Sequence, residues 1–146
     1  MATKLTKNFS LEELYNSATA NRMGINNYPP ESVKSQLIKL ANLLQKIRDK
    51  YGYPIYVNSG YRCSDLNKAV GGSKTSQHMN GEAADICATG GRTNSHLFSV
   101  IKGMIDNGEI KVGQLIWEYG TKKEPNWVHV SLPYTKVNKI LYFYNK

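Results

Sequence analysis

The segment 76–85 places a histidine and an aspartate seven residues apart, His78 and Asp85, with a glycine between them. A second histidine, His129, follows in the segment 127–130, which has the composition of a β-strand. The chain contains three histidines in all. Two imidazoles and one carboxylate are the ligands that a catalytic zinc site uses, with the fourth position open to water. These residue types therefore indicate metal-assisted chemistry.

The strand that contains His129 has two different faces. Side chains alternate along a strand, so Trp127, His129 and Ser131 share one face and Val128 and Val130 share the other. The valines are typical of a core-facing side. We therefore expect His129 to face away from the core, toward a groove.

The remaining pattern predicts the elements that position these residues. Apolar residues at three- and four-residue spacing predict a long helix over 31–51 that ends at Gly52, and Ser10 with Glu13 forms a capping-box signature for a short first helix. Further helices are predicted over 65–70 and 93–107, and strands over 53–58, 83–87, 112–118, 127–132 and 140–144. The expected class is α+β, a single domain over residues 1–146 with a mainly antiparallel sheet and flanking helices.

Composition excludes several classes of protein. With 146 residues, 40% hydrophobic and 21% charged, the chain has ordinary globular composition. No apolar run approaches the roughly 20 residues that span a bilayer, so we expect no stable membrane insertion. Residues 1–7 lack the apolar stretch of a secretory signal, which predicts accumulation in the cytoplasm. We expect a monomer.

The net charge of +8 favours association with polyanions. The lysines are scattered, and no arginine-rich or aromatic-interleaved patch is present, so nucleic acid is not the predicted partner. The two cysteines, Cys63 and Cys87, do not form a disulfide framework and are interpreted as buried or half-buried thiols. Their spacing makes zinc binding by these thiols a weak alternative.

The ordered residues resemble a known family. The pattern Ser-x-His-x-x-Gly-x-Ala-x-Asp over 76–85, followed by Trp-x-His at 127–129, is similar to the zinc D-alanyl-D-alanine peptidases. These peptidoglycan metallopeptidases include carboxypeptidases, dipeptidases and phage endolysins, and they share a fold with the hedgehog signalling domain. The segment 59–62, Ser-Gly-Tyr-Arg, matches a further family element. The resemblance extends over residues 9–132.

The resemblance implies a zinc ion held by His78, Asp85 and His129, which activates a water for attack on a peptide carbonyl. It also implies that Arg62 binds the substrate or the developing oxyanion. Arg62 in a surface salt bridge is the alternative.

Three other side chains are less clearly linked to the chemistry. Ser76 resembles a substrate-binding hydroxyl, but it could equally stabilise its loop by a hydrogen bond. Trp127 would shield the metal or stack on substrate, or simply pack at the rim of the groove. His96 lies in the predicted 93–107 helix and matches no motif, so we interpret it as structural.

The general base is where the chain departs from the family. Many members have an acidic residue three positions before the last histidine, where this chain has Asn126. If strand residue 118 lies opposite 127, Glu118 shares a sheet face with His129 at roughly 5–8 Å. Glu118 is therefore the favoured base, and Glu124 in the preceding loop is the alternative. A register slip of one residue would turn Glu118 to the other face.

The predicted function is a zinc-dependent peptidase that hydrolyses stem peptides of bacterial peptidoglycan, either as an endolysin-like endopeptidase or as a D-Ala-D-Ala carboxypeptidase. The absence of a visible signal favours a phage or prophage lysis protein, whose positive charge would aid its approach to an anionic cell wall. The Asn126 departure motivates an alternative, a catalytically inactive zinc-containing module that recognises the wall. Both bond specificities are compatible with these ligands.

Overall fold

The apolar stripe of residues 31–51 forms the longest helix, α3 (Glu31–Tyr51), and Gly52 ends it in the left-handed conformation. The computed structural model describes residues 3–134 and 136–144. The other helices are α1 (Leu11–Tyr15), α2 (Ala18–Met23), α4 (Ser64–Ala69) and α5 (Asn94–Asp106), with a 3₁₀ turn at Gln77–Asn80. The predicted capping box of α1 is present, because Ser10 accepts from the Glu13 amide and Glu13 accepts from the Ser10 amide.

Five strands form one sheet in the described part of the chain. They are β1 (Ile55–Ser59), β2 (Ala83–Ala88), β3 (Gln114–Glu118), β4 (Trp127–Ser131) and β5 (Lys139–Phe143), in the spatial order β1-β2-β4-β3-β5. Every neighbouring pair is antiparallel except β3 and β5, which are parallel. The predicted α+β class with a mainly antiparallel sheet is confirmed.

The hydrophobic core covers one face of the sheet. Helices α3 and α5 bury their apolar sides in the same cluster as the inward-facing residues of β2, β3 and β4. Val128 and Val130 are fully buried in this cluster, as the strand pattern predicts. Residues of the opposite parity, including Asp85 and His129, therefore lie on the other face of the sheet.

The structure contains features that the pattern does not predict. Helix α2 buries only Ala20 and so has no apolar periodicity, although Ser17 caps its first turn and Gly24 ends it. Strand β5 was predicted, but its parallel pairing with β3 depends on the path of the chain after β4.

Among the described residues, no helix combines the length and the apolar character that crossing a membrane requires.

Candidate metal centre and its groove

The three predicted ligands lie together. Strands β2 and β4 pair so that Asp85 is directly opposite His129, and the 3₁₀ turn brings His78 beside them. His129 Nδ1 lies 3.0 Å from Asp85 Oδ1, and His78 Nε2 lies 3.3 Å from Asp85 Oδ2. One ligand atom from each residue falls within 4.8 Å of the other two. This is a preformed cluster of one carboxylate and two imidazoles.

The cluster fits a tetrahedral zinc ion. Zinc binds histidine nitrogen and carboxylate oxygen at about 2.0–2.2 Å, which places tetrahedral ligand atoms about 3.3 Å apart. The separations of 3.0 Å from His129 Nδ1 to Asp85 Oδ1 and 3.3 Å from His78 Nε2 to Asp85 Oδ2 are close to that value. The two imidazole rings meet edge to face, with centroids 5.3 Å apart, so that each can direct a nitrogen to a shared point.

A backbone carbonyl sets the tautomer of His78. His78 Nδ1 lies 2.7 Å from the carbonyl oxygen of Gly60. Since a carbonyl can only accept, Nδ1 carries a proton, and Nε2 is the nitrogen on the Asp85 side that can bind a metal once it has released its own proton. Such an outer hydrogen bond is the usual device that orients a metal-ligating histidine.

The Gly60 carbonyl is positioned by a bulge in β1. Val57 pairs with Ile86 and Ser59 pairs with Asp85, so two steps along β1 correspond to one step along β2. Gly60 then passes so close to α1 that a Cβ atom would lie 2.3 Å from the Leu14 carbonyl oxygen. Only glycine can occupy this position without displacing the backbone.

The two histidines keep Asp85 ionised. Burial by itself raises the pKa of Asp85, but the charge of His78 and the hydrogen bonds from both imidazoles outweigh that effect. The net result is a pKa well below the ordinary aspartate range. Asp85 is therefore a carboxylate, the form that binds a metal, throughout the neutral range.

The cluster opens into a groove of about 720 Å³ that also contains Arg62, Ser76, Glu118 and Trp127. Arg62 Nη2 donates to Ser76 Oγ at 3.3 Å, and the Arg62 backbone amide donates to the His78 carbonyl. Ser76 Oγ also accepts from the His78 amide, so the loop-stabilising hydrogen bond considered for Ser76 is present. Burial lowers the pKa of Arg62 and the charge of Asp85 opposes this, but a guanidinium stays charged at neutral pH.

Glu118 is the last residue of β3 and pairs with Trp127, while Ile116 pairs with His129. This is the register on which the prediction for Glu118 depended. Its half-buried side chain lines the groove on the same sheet face as His129. The left-handed backbone of Tyr119, with φ of 58°, ends the strand immediately after it. Trp127 lines the same groove and meets the Tyr119 ring edge to face.

Comparison with known proteins agrees with this geometry. The model of the family described as peptidase M15 matches residues 7–131, which is most of the chain. The chain belongs to the peptidase M15 family. A relative, the zinc D-Ala-D-Ala carboxypeptidase of Streptomyces albus G, is 40% identical over 68 residues. That match covers 41% of this chain and 27% of the relative, so the chain spans about a quarter of that protein's length. Zinc is the metal that this relative's name gives, and His78, Asp85 and His129 can hold such an ion here.

In this M15 chain Glu124, the alternative candidate for the general base, makes its hydrogen bonds to α5 and not in the groove. Its two carboxylate oxygens accept from the backbone amides of Asn94 and Ser95, at 2.8 and 3.0 Å. These amides belong to the first turn of α5, where a negative charge is favoured. Asn126 is exposed, and its backbone amide donates to the Glu118 carbonyl. Neither Glu124 nor Asn126 lines the groove.

The other residues considered for the site, His96, Cys63 and Cys87, do not line the groove. His96 is exposed on α5 and contacts the Tyr51 ring edge to face. Cys63 and Cys87 are half-buried free thiols, as predicted. Burial raises the pKa of Cys87 despite hydrogen bonds from Asn58 and Asn94, so this thiol stays protonated at neutral pH.

The sequence pattern does not reveal the role of the buried Asn27, which lies outside the groove and bonds to the backbone beside Arg62. Its Nδ2 donates to the carbonyls of Tyr15 and Tyr61, and its Oδ1 accepts from the Cys63 amide at 2.7 Å. These bonds hold the backbone on both sides of Arg62. The only signal in the sequence is an asparagine two residues before Pro29-Pro30, a pattern that is also typical of an ordinary turn.

Proposed function

We propose that this protein is a zinc-dependent peptidase that hydrolyses the stem peptides of bacterial peptidoglycan. The observation that supports this most strongly is the preformed cluster of His78, Asp85 and His129, open to a groove that also contains an acid and an arginine. Membership of the peptidase M15 family and the similarity to a zinc D-Ala-D-Ala carboxypeptidase support the same chemistry.

The cluster would hold the zinc ion through His78 Nε2, His129 Nδ1 and the Asp85 carboxylate. When bound, zinc supplies a Lewis acid for a peptide carbonyl and lowers the pKa of water toward neutrality. Gly60 assists indirectly, because its carbonyl holds the His78 ring in the tautomer and orientation that present Nε2.

Glu118 is the proposed general base. Its carboxylate would accept a proton from the attacking water and return it to the nitrogen of the leaving amine. Its half-buried position on the sheet face of His129 places it within the groove, whereas Glu124 is occupied at the N-terminus of α5. The chain would thus supply from β3 the acid that many relatives supply three residues before the last histidine.

The other groove residues would bind the substrate. The Arg62 guanidinium would stabilise negative charge that develops on the carbonyl oxygen, or pair with a substrate carboxylate. Ser76 would hold Arg62 by its hydrogen bond, and the Trp127 ring would cover one side of the bound peptide. In this proposal the enzyme acts on the cell wall in the manner of a phage or prophage endolysin, and its positive charge aids its approach.

The test uses zinc-loaded protein and purified peptidoglycan, with release of free amino groups and mass spectrometry of the products. We expect release that stops in excess chelator and returns with added zinc, and the masses identify the bond that is cut. His129→Ala should lose both zinc and activity. His96→Ala is the matched control, because His96 lies on α5 away from the groove, and it should keep both.

One outcome would contradict the proposal. If the wild-type protein binds zinc in equimolar amount and sediments with peptidoglycan but releases no fragment, the protein is a wall-recognition module rather than a peptidase. The presence of Glu118 in the groove favours the peptidase.

A further inference from the structure

A second cavity adjoins the groove of the metal centre. It has a volume of about 520 Å³, and its lining shares Arg62 and Val70 with the groove. Its other walls are formed by residues 56–59 of β1 and by residues 16–19 around the start of α2. The two cavities are therefore neighbours that meet at Arg62 and Val70.

The sheet itself connects the two cavities. Tyr56 pairs with Cys87, which is two residues after Asp85 and on the same face of β2. The sheet face that contains the metal cluster thus continues across β2 to Tyr56 on β1, and the Asn58 amide reaches the same face, because it donates to Cys87 Sγ. Strand β1 lies at the edge of the sheet, where no further strand follows in the order of the described strands.

The chemistry of the second cavity suits a peptide. Asn16, Ser17, Asn21 and Asn58 provide amide and hydroxyl groups that both donate and accept hydrogen bonds. A peptide backbone alternates the same two functions, and an edge strand can pair with an extended peptide through its own backbone. Tyr56 is 62% exposed, the largest exposed fraction among the large hydrophobic residues described, and offers a flat surface for a substrate side chain.

The charge of the lining argues against an anionic polymer as the occupant. Glu13 and Arg62 are its two charged residues, one of each sign, although the chain as a whole has a net charge of +8. The lysines of this basic protein are absent from the cavity. A largely neutral, hydrogen-bonding lining matches an uncharged peptide backbone.

We propose that this second cavity binds the part of the peptide substrate that extends beyond the cleaved bond, so that the enzyme favours longer peptides over the minimal cleavable unit. The inference rests on the proposed function and adds a binding subsite to it. Tyr56 and Asn21 would be binding residues of this subsite, with no part in the chemical step.

The test measures kcat and KM with sugar-free synthetic stem peptides, a minimal substrate and two series extended on either side of the cleaved bond. For the wild-type enzyme, one of the two extensions should lower KM roughly tenfold, the effect of one good contact. Tyr56→Ala and Asn21→Ala should remove most of that gain and leave kcat unchanged, because they remove binding that is equal in ground and transition states. Hydrolysis of the minimal substrate should not change.

Tyr53→Ala is the control variant, since Tyr53 is a 42% exposed tyrosine just before the start of β1 and lines neither cavity. An equal gain from extension in the wild type and Tyr56→Ala would overturn the proposal. The proposal would also be overturned if extension lowers KM only for matching peptides that bear a disaccharide and not for the sugar-free series, which would indicate a glycan site.

A binding experiment separates this inference from the proposed function. Calorimetric titration of an extended peptide into zinc-loaded Glu118→Gln protein should show affinity that falls roughly tenfold when Tyr56→Ala is added. If no peptide is cut by the wild type, the proposed function fails, but this titration still decides whether the cavity binds peptide. Equal affinities in the two proteins would refute the subsite.

Discussion

Glu118 lies directly opposite Trp127 in the β3–β4 pair, so that its side chain shares a sheet face with His129 two residues further along β4. The relationship places an acid in the groove of the metal cluster, although the position three residues before His129 is occupied by Asn126.

Substitution of the two candidate bases separates them. Glu118→Gln should lower kcat roughly 100- to 10,000-fold with zinc content unchanged, because the change removes a proton acceptor and no metal ligand. Glu124→Gln keeps the shape of the side chain but removes the carboxylate that accepts from the α5 amides. It should cost about 1 kcal/mol of stability with little loss of kcat. Steady-state kinetics, zinc analysis and denaturant titration measure these effects. The reverse pattern of kcat losses would transfer the role of base to Glu124.

Gly60→Ala should weaken both the fold and the metal site. The added Cβ would lie 2.3 Å from the Leu14 carbonyl oxygen, which is backbone and cannot move cheaply. We expect a loss of about 1–3 kcal/mol of stability, with weaker zinc binding because the Gly60 carbonyl orients His78. Gly103→Ala is the matched control, since nothing lies within 4 Å of its Cβ position in α5, and it should be neutral or stabilising by up to about 1 kcal/mol. Denaturant titration with and without zinc gives both quantities.

Asn27→Ala should disturb Arg62 rather than the metal. The variant leaves two backbone carbonyls and one amide without their partner, which should cost about 1–3 kcal/mol of stability. Well below the melting temperature, kcat/KM should fall while zinc affinity stays unchanged, because the backbone on both sides of Arg62 loses its restraint. Asn26→Ala, which removes one exposed hydrogen bond to the Tyr28 amide, is the control. Unchanged kcat/KM in Asn27→Ala would show that the residue serves stability alone.

The stability of the metal-free protein should depend on pH through Asp85. The folded-state pKa of Asp85 lies below its unfolded value, so the ionised group stabilises the fold above about pH 4, and this contribution is lost as pH falls toward the folded pKa. Denaturant titration of the metal-free protein from pH 7 to pH 3 should show a steeper decline for the wild type than for Asp85→Asn. Parallel curves would mean that Asp85 has an ordinary pKa in the fold.

Several elements could be predicted because their causes are local. The spacing of leucines predicts α3 with the bounds observed, and Ser10 with Glu13 predicts the start of α1. Helix α2 could not be predicted in this way, because it buries one residue and is defined by its caps. The cluster of His78, Asp85 and His129 could be anticipated as a set of ligand types in order along the chain.

The ligand types, the family resemblance and the face of β4 on which His129 lies can be read from the chain alone, because they depend on residue identity and on the two-residue period of a strand. Tertiary structure alone decided which acid enters the groove and how each ligand is oriented. The register of β3 against β4 brings Glu118 to the groove. Glu124 instead accepts hydrogen bonds from backbone amides in the first turn of α5. The hydrogen bonds of Gly60 and Asn27 join residues 12 to 36 positions apart, a relationship that depends on packing and that no local pattern encodes.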